Sequence, residues 1–354
     1  DERVLVTDAS EPGAAQIVAT LDVGSLLAEQ PGADPTRSGD GHAVAVDADG
    51  RIAIGVNGAV VVWDGDGAGT ARVLWSSPDN RPVRSVAFGG DGLLAAGDGC
   101  GWVRTWDDLS DSSEPVGELD LTEDDICPTA DGDPKREVSR IAFGDGGIWV
   151  VGDESLVRHV AIGTDGAPVG STVVDGVAEN FVRAVATTVD GPWVAIGGAE
   201  QSLFVGDSAR LIEQMLPDDA DPRLAGHTNE IGAVTFADTG EDAPTLLATA
   251  SNDGSIRLWW AERAEDGGPL SLLAGAVVPP SVACTSLDRC LALDVAFSPD
   301  GSTVASVGSD GLVHVWHGLT DPVVGCDLAS SLVEDDDLRA QLGTATPAPC
   351  DELG

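Results

Sequence analysis

Six stretches of this chain repeat one pattern, and the pattern limits what the chain can fold into. Each stretch holds three short apolar runs separated by Asp-Gly or Gly-rich turns, the signature of strands joined by tight hairpins. The copies run 43–64 (AVAVDADGRIAIGVNGAVVVWD), 83–107, 138–162, 182–207, 231–260 and 293–317. A fourth apolar run follows four of them, at 72–75, 116–121, 211–216 and 270–273. Successive copies begin about 40 to 60 residues apart, the spacing of one four-stranded sheet per repeat. A lone sheet of this size leaves its apolar faces in water, so neighbouring copies must stack. The chain is therefore expected to be all-β, with no long helical periodicity before residue 320.

Two copies carry more than periodicity. GHTNEIGAVTF…LLATASNDGSIRLWW (226–260) and FSPDGSTVASVGSDGLVHVWH (297–317) resemble WD40 repeats. The resemblance implies a closed β-propeller of six four-stranded blades, with seven as the alternative count. It also implies a hydrogen-bonded set of His, Ser/Thr, Asp and Trp inside well-formed blades. In the fifth copy that set is His227, Thr249 (or Ser251), Asp253 and Trp259. The sixth supplies Ser306, Asp310 and Trp316 but has no preceding Gly-His, and the first four copies lack most of the set. Residues 3–22 read like the last two strands of a blade, and the sixth copy lacks a fourth strand. Residues 16–21 are therefore expected to complete the last blade beside the Trp316 strand, which gives a propeller domain over 1–317. The tail, 318–354, reads as short helices and resembles the segment that closes WD40 domains in multidomain actinobacterial proteins.

Charge narrows the partners. Lys and Arg total 18 against 60 Asp and Glu, a net charge of −42, and Lys135 is the only lysine. Nucleic-acid binders and proteins of anionic membrane surfaces gain affinity from cationic side chains, so neither is expected here. No apolar run approaches the ~18 residues of a membrane-spanning helix, so direct membrane insertion is not expected. The acidic excess fits adaptation to high salt and fits a GC-rich genome equally well. The chain opens at Asp1 without an initiator Met or a signal-peptide pattern, and is read as a mature product or an excised domain.

The six cysteines fall into local couples, Cys100 with Cys127, Cys284 with Cys290 and Cys326 with Cys350. In the propeller reading Cys100 and Cys127 lie in loops that leave the same face, so disulfides and an oxidising, extracytoplasmic setting are expected. Free buried thiols and scattered zinc ligands are the alternatives.

No catalytic constellation emerges. His314 and His317 are three apart on a strand and point to opposite faces, so they do not share a metal. Gly206-Asp207-Ser208 echoes a nucleophile motif without its strand–elbow–helix context. Asp47-Ala48-Asp49-Gly50 has the look of a cation loop but sits where a hairpin turn is required. No catalytic residue, metal or cofactor is assigned. Acidic clusters remain: Glu123, Asp124, Asp125, Asp131 and Asp133 after the second copy, Asp218, Asp219 and Asp221 after the fourth, and three Asp residues at 335–337. Such runs are most often solvated surface, yet long loops on a rigid scaffold are where binding resides. The expected function is a non-catalytic module that binds a protein or peptide, cationic where the acidic loops make the contact. Its rivals are a propeller enzyme with a metal or carboxylate site at the channel mouth, and a structural subunit with an acidic surface.

Overall fold

The computed structural model describes residues 3–8, 16–29, 41–65, 71–122, 137–213, 223–237, 245–262, 271–278 and 291–317, a few positions within these ranges excepted. The chain divides into two compact units, 1–174 and 175–354.

The first unit opens with an antiparallel hairpin, β1 (Arg3–Asp8) and β2 (Gln16–Asp22). A short helix follows, α1 (Val23–Ala28), whose first turn is capped by the Asp22 carboxylate accepting from the Ser25 amide. Three meander sheets come next. The first joins β3 (Gly41–Val46), β4 (Ile52–Val56), β5 (Ala59–Trp63) and β6 (Arg72–Ser76). The second joins β7 (Val83–Phe88), β8 (Leu94–Asp98), β9 (Trp102–Trp106) and β10 (Gly117–Asp120). The third joins β11 (Val138–Gly144), β12 (Gly147–Gly152), β13 (Val157–Ile162) and β14 (Pro168–Val173).

The second unit repeats the plan. Its first sheet joins β15 (Val182–Thr187), β16 (Trp193–Gly198), β17 (Leu203–Asp207) and, after helix α2 (Ser208–Ile212), β18 (Arg223–Leu224). Next come β19 (Ile231–Phe236), β20 (Thr245–Ser251), β21 (Ile256–Glu262) and β22 (Ser271–Val278). The last sheet has three strands among the described residues, β23 (Ala292–Phe297), β24 (Thr303–Gly308) and β25 (Val313–His317). All strand pairs are antiparallel, and the all-β architecture of four-stranded blades expected from the repeats is present.

Burial along each sheet explains the sequence. In the first sheet the second and third strands, IAIGV and AVVVW, are apolar throughout and buried at every position. A sheet covered on both faces needs no alternation. The outer strand alternates where one face meets water, as in Gly117–Asp120. Packing between neighbouring sheets rests on size complementarity. A Cβ on Gly55 would meet the Val83 carbonyl oxygen at 2.7 Å, one on Gly97 would meet Val138 Cγ1 at 2.3 Å, and one on Gly197 would meet Ile231 Cγ2 at 2.7 Å. Each glycine holds the same place on a second strand and receives the first residue of the next sheet. At the corresponding place the fifth sheet has Ala250, and the sixth offers only Ala292 in the shared core cluster.

One sequence expectation changes. The run 211–216 was expected as a fourth strand, but Ser208–Ile212 is helical and Arg223–Leu224 is the strand. The reason is local: the Asp207 side chain accepts from the Arg210 amide, an N-cap that starts a helix at once. Residues 16–21 were expected beside the Trp316 strand. Their described partner is Arg3–Asp8, in register from Arg3↔Asp22 to Asp8↔Gln16 with one irregularity. The inward face of this hairpin, with Val4, Val6, Ala19 and Leu21, packs with α1 against the β4–β5 face, so the segment is held by burial within its own unit. The tail beyond residue 317 lies outside the described residues.

Candidate binding surface

Every first strand breaks register at the same place. The irregularities fall between Gly41 and Ala43, Val83 and Ser85, Val138 and Arg140, Val182 and Ala184, Ile231 and Ala233, and Ala292 and Asp294. A bulge leaves one residue out of the ladder and re-aims its side chain. The re-aimed residues are His42, Arg84 and Ser139 in the first unit, and Arg183, Gly232 and Leu293 in the second. In an antiparallel meander this end also carries the turn between strands two and three and the connection to the next sheet.

In the first unit two of the bulge residues, His42 and Arg84, are tied into a chain. His42 Nε2 lies 2.7 Å from Asn57 Oδ1, an atom that only accepts, so Nε2 carries the proton. Nδ1 is then free to accept from Arg84 Nη1 at 3.1 Å. Arg84 Nε lies 2.7 Å from Glu137 Oε1, an ion pair whose angle departs from that of a hydrogen bond. In the second unit Arg183 Nε pairs with Glu230 Oε1 at 3.3 Å and its guanidinium covers the Phe181 ring at 4.7 Å. Glu230 also accepts from Asn252. The same device recurs: an arginine on the bulge of one sheet meets a glutamate just before the next. Leu293, 46% exposed, and Phe181, 38% exposed, add apolar surface at this end.

Behind this surface, the fifth sheet brings together His227, Thr249, Asp253 and Trp259. Asp253 Oδ2 accepts from His227 Nδ1 at 2.9 Å and from the Thr228 amide at 2.9 Å. Its Oδ1 accepts from the Ser255 amide at 2.8 Å and hydroxyl at 2.6 Å. His227 Nε2 accepts from Thr249 Oγ1 at 2.7 Å, and Thr249 Oγ1 accepts from Trp259 Nε1 at 3.1 Å. Ser251 stands beside the set, donating to the Asn229 carbonyl and accepting from the Asp253 amide. Ser255 belongs to the network and was missed from the sequence, although its place two residues after Asp253 in a tight turn is a known signal for an Asx turn. Burial lowers the His227 pKa against the opposing pull of Asp253, so the ring is neutral. Asp253 lies well below the usual carboxylate range: burial opposes this, and the hydrogen bond and charge of His227 with the Ser255 and Thr228 bonds outweigh it. Hydroxyl, imidazole and carboxylate stand in series, but Thr249 is fully buried against the indole. A substrate cannot reach that oxygen, so the series is a structural pin.

Other sheets solve the same problem differently. In the sixth, Trp316 Nε1 donates to Ser306 Oγ at 3.4 Å, and Asp310 Oδ2 meets His314 Nε2 at 2.9 Å. The histidine comes from the third strand and stacks on Trp316. His317 faces Thr303 instead. In the second sheet Arg104 replaces histidine, donating from Nη1 to Asp98 at 2.8 Å and from Nε to Glu118 at 3.1 Å, with Trp75 and Trp102 against its face. Asp47 accepts from the amides of Asp49 and Arg51, which closes the 47–50 turn. Among the described residues no group of three or more His, Cys, Asp or Glu is placed to hold a metal. Cys100 is disulfide-bonded; Cys127, Cys284, Cys290, Cys326 and Cys350 lie outside the described residues. So do Glu123, Asp124, Asp125, Asp131, Asp133, Asp218, Asp219 and Asp221.

Residues 222–259 and 282–317 match the family described as WD domain, G-beta repeat (WD40). These two stretches match WD40 repeats. The matches fall on the fifth and sixth sheets, where the Trp–Ser/Thr pair and the Asp–His pair are formed. Protein HIR1 of Cryptococcus neoformans var. neoformans serotype D is similar in two strains, each 28% identical over 156 residues, 42% of this chain. The chain spans only 17% of the length of those relatives. Among solved structures, the β-propeller domain of Cps50 (Swd1) from Myceliophteria thermophila superposes with a TM-score of 0.61 and 20% identity, over 80% of this chain and 83% of that one. A chain of the mitotic checkpoint complex gives 0.52 and 18%, over 78% and 89%. At these identities the likeness is one of fold, over about four-fifths of the chain.

Proposed function

We propose that this chain is a non-catalytic module that binds a protein partner through the bulge end of its sheets. The observation that carries the reading is the recurrence of the bulge: every first strand breaks register at the same end of its sheet, and two of the bulge residues, Arg84 and Arg183, are held by a glutamate just before the next sheet. A surface fixed before binding loses little conformational entropy when a partner docks. Further support comes from the WD40 match, from the likeness to a chain of the mitotic checkpoint complex, and from the burial of the Asp–His–Thr series away from any substrate. The net charge of −42 favours a partner with a cationic surface around the contact, because complementary potentials speed association. The disulfide at Cys100 supports an extracytoplasmic setting, and the composition break after residue 317 supports a tail separate from the blades.

Site-specific photo-crosslinking tests the reading. A photoreactive amino acid at position 84, 183 or 293 should give one discrete adduct in extract from the native source. The same group at position 300, in the turn at the other end of the sixth sheet, should not. Equal labelling at both ends, or adducts from position 300 alone, would overturn the assignment of the face.

A further inference from the structure

Arginine stands at one register position in three sheets: Arg104, Arg158 and Arg257 all occupy the second residue of their third strand or its equivalent pairing, and all are buried to within 9% exposure. Their surroundings differ. Arg104 has two carboxylates, Asp98 from the strand beside it and Glu118 directly opposite on the outer strand. Arg158 donates to the Ser171 hydroxyl. Arg257 has neither kind of partner. At the position of Asp98 stands Ser251, and opposite Arg257 on the outer strand stands Val277. Arg257 is only 5% exposed, its Nε is sealed from solvent without an acceptor, and its side chain makes no hydrogen bond or ion pair among the described residues. Asp253 acts on it through its charge, yet both oxygens of that carboxylate are taken by His227, Thr228 and Ser255.

A guanidinium held out of water without a counter-ion is costly, and burial accordingly pushes its pKa down. Such a group in a folded protein calls for an explanation. Nη1 packs against Gly226, where a Cβ would lie 2.9 Å away. Gly226 is only half-buried, so the guanidinium sits one residue's thickness from solvent, beside the connection that leads to the bulge end. We propose that Arg257 is a binding site for a carboxylate group brought from outside the sheet, the chemistry of an Asp or Glu side chain on a docked peptide. The second sheet shows what this side chain takes at this register, and a planar guanidinium matches a carboxylate with two parallel hydrogen bonds. The site does not depend on the partner-binding reading, because a small carboxylate suffices to occupy it.

Acetate is the probe. The unfolding midpoint of the intact chain is measured in sodium acetate and in sodium chloride at equal ionic strength and neutral pH. Acetate should raise the midpoint by about 1–3 °C over chloride and saturate, as expected for a ligand bound only by the native state. Arg257→Gln should remove the difference. Val277→Glu, which copies Glu118, should raise the midpoint in chloride and remove the acetate response. The wild-type comparison needs no variant to fold. Identical wild-type midpoints in the two salts, or an acetate response that persists in either variant, would overturn the proposal. A positive acetate response with no crosslinked partner would leave this site standing and sink only the partner-binding reading.

Discussion

Replacing Asp253 with alanine should be among the most damaging single changes in the second unit. The carboxylate accepts four hydrogen bonds, from His227, the Thr228 amide, and the amide and hydroxyl of Ser255. Its side chain is 8% exposed and that of His227 1%. Thr228 is exposed and can turn to water. The Ser255 hydroxyl can swing towards His227 Nδ1, 3.3 Å away, if the ring changes tautomer. About two buried donors then remain without acceptors, each costing about 1–3 kcal/mol. The sum, about 2–6 kcal/mol, corresponds to a fall of roughly 4–24 °C in the unfolding midpoint for a unit of this size. Asp64→Ala is the control. Asp64 also holds an arginine, Arg72 at 2.6 Å, but its side chain is 43% exposed, and exposed pairs contribute about 1 kcal/mol or less. Calorimetry or circular dichroism on both variants decides the matter. If Asp253→Ala melts within about 2 °C of Asp64→Ala, the network does not bear on stability and the reasoning fails.

Four further outcomes follow from the same geometry. Both ionisable members of the network have lowered folded pKa values, so the unfolded chain takes up protons first and stability falls with pH: for His227 the loss begins as pH drops through about 6.5, and for Asp253 below about 4. Melting curves of wild type and His227→Gln should therefore diverge most above pH 7 and converge towards pH 5; a constant gap would refute the assignment. Trp106 Nε1 is buried without a partner because Ala96 stands where the fifth sheet has Thr249, and Ala96→Ser should add up to about 1 kcal/mol, read as a raised denaturant midpoint; a loss would show that the hydroxyl is not placed to accept. Gly97→Ala drives a methyl to 2.3 Å from Val138 Cγ1 and should cost about 1–3 kcal/mol, with Val138→Ala as the compensating second change. Peptide mapping of unreduced protein should recover Cys100 joined to Cys127, closing a ring of about 28 residues that adds a few kcal/mol; a free thiol at Cys100 would remove the case for an oxidising compartment.

What the sequence determines by itself is the periodic part of this protein. Asp-Gly turns between apolar runs set where strands end, because only certain residues tolerate those backbone angles, and that information is local. The fifth-sheet network was legible through a resemblance: 226–260 resembles a WD40 repeat, which implies His227, Thr249, Asp253 and Trp259 as a bonded set. Tertiary structure decided the rest. The bulge at each first strand has no fixed sequence mark, since residues as different as His42, Arg84, Gly232 and Leu293 occupy it; it arises from register against the second strand. The Arg–Glu pairs join residues 47 to 53 positions apart, and only stacking of sheets brings them together. The N-terminal hairpin shows the limit most plainly. Its strands were legible as strands, but which neighbour they pair with depends on which apolar face lies within reach. Arg257, without a hydrogen-bond partner among the described residues, was invisible as well, because it reads as an ordinary strand residue until Ser251 and Val277 are seen to stand where the second sheet keeps its carboxylates.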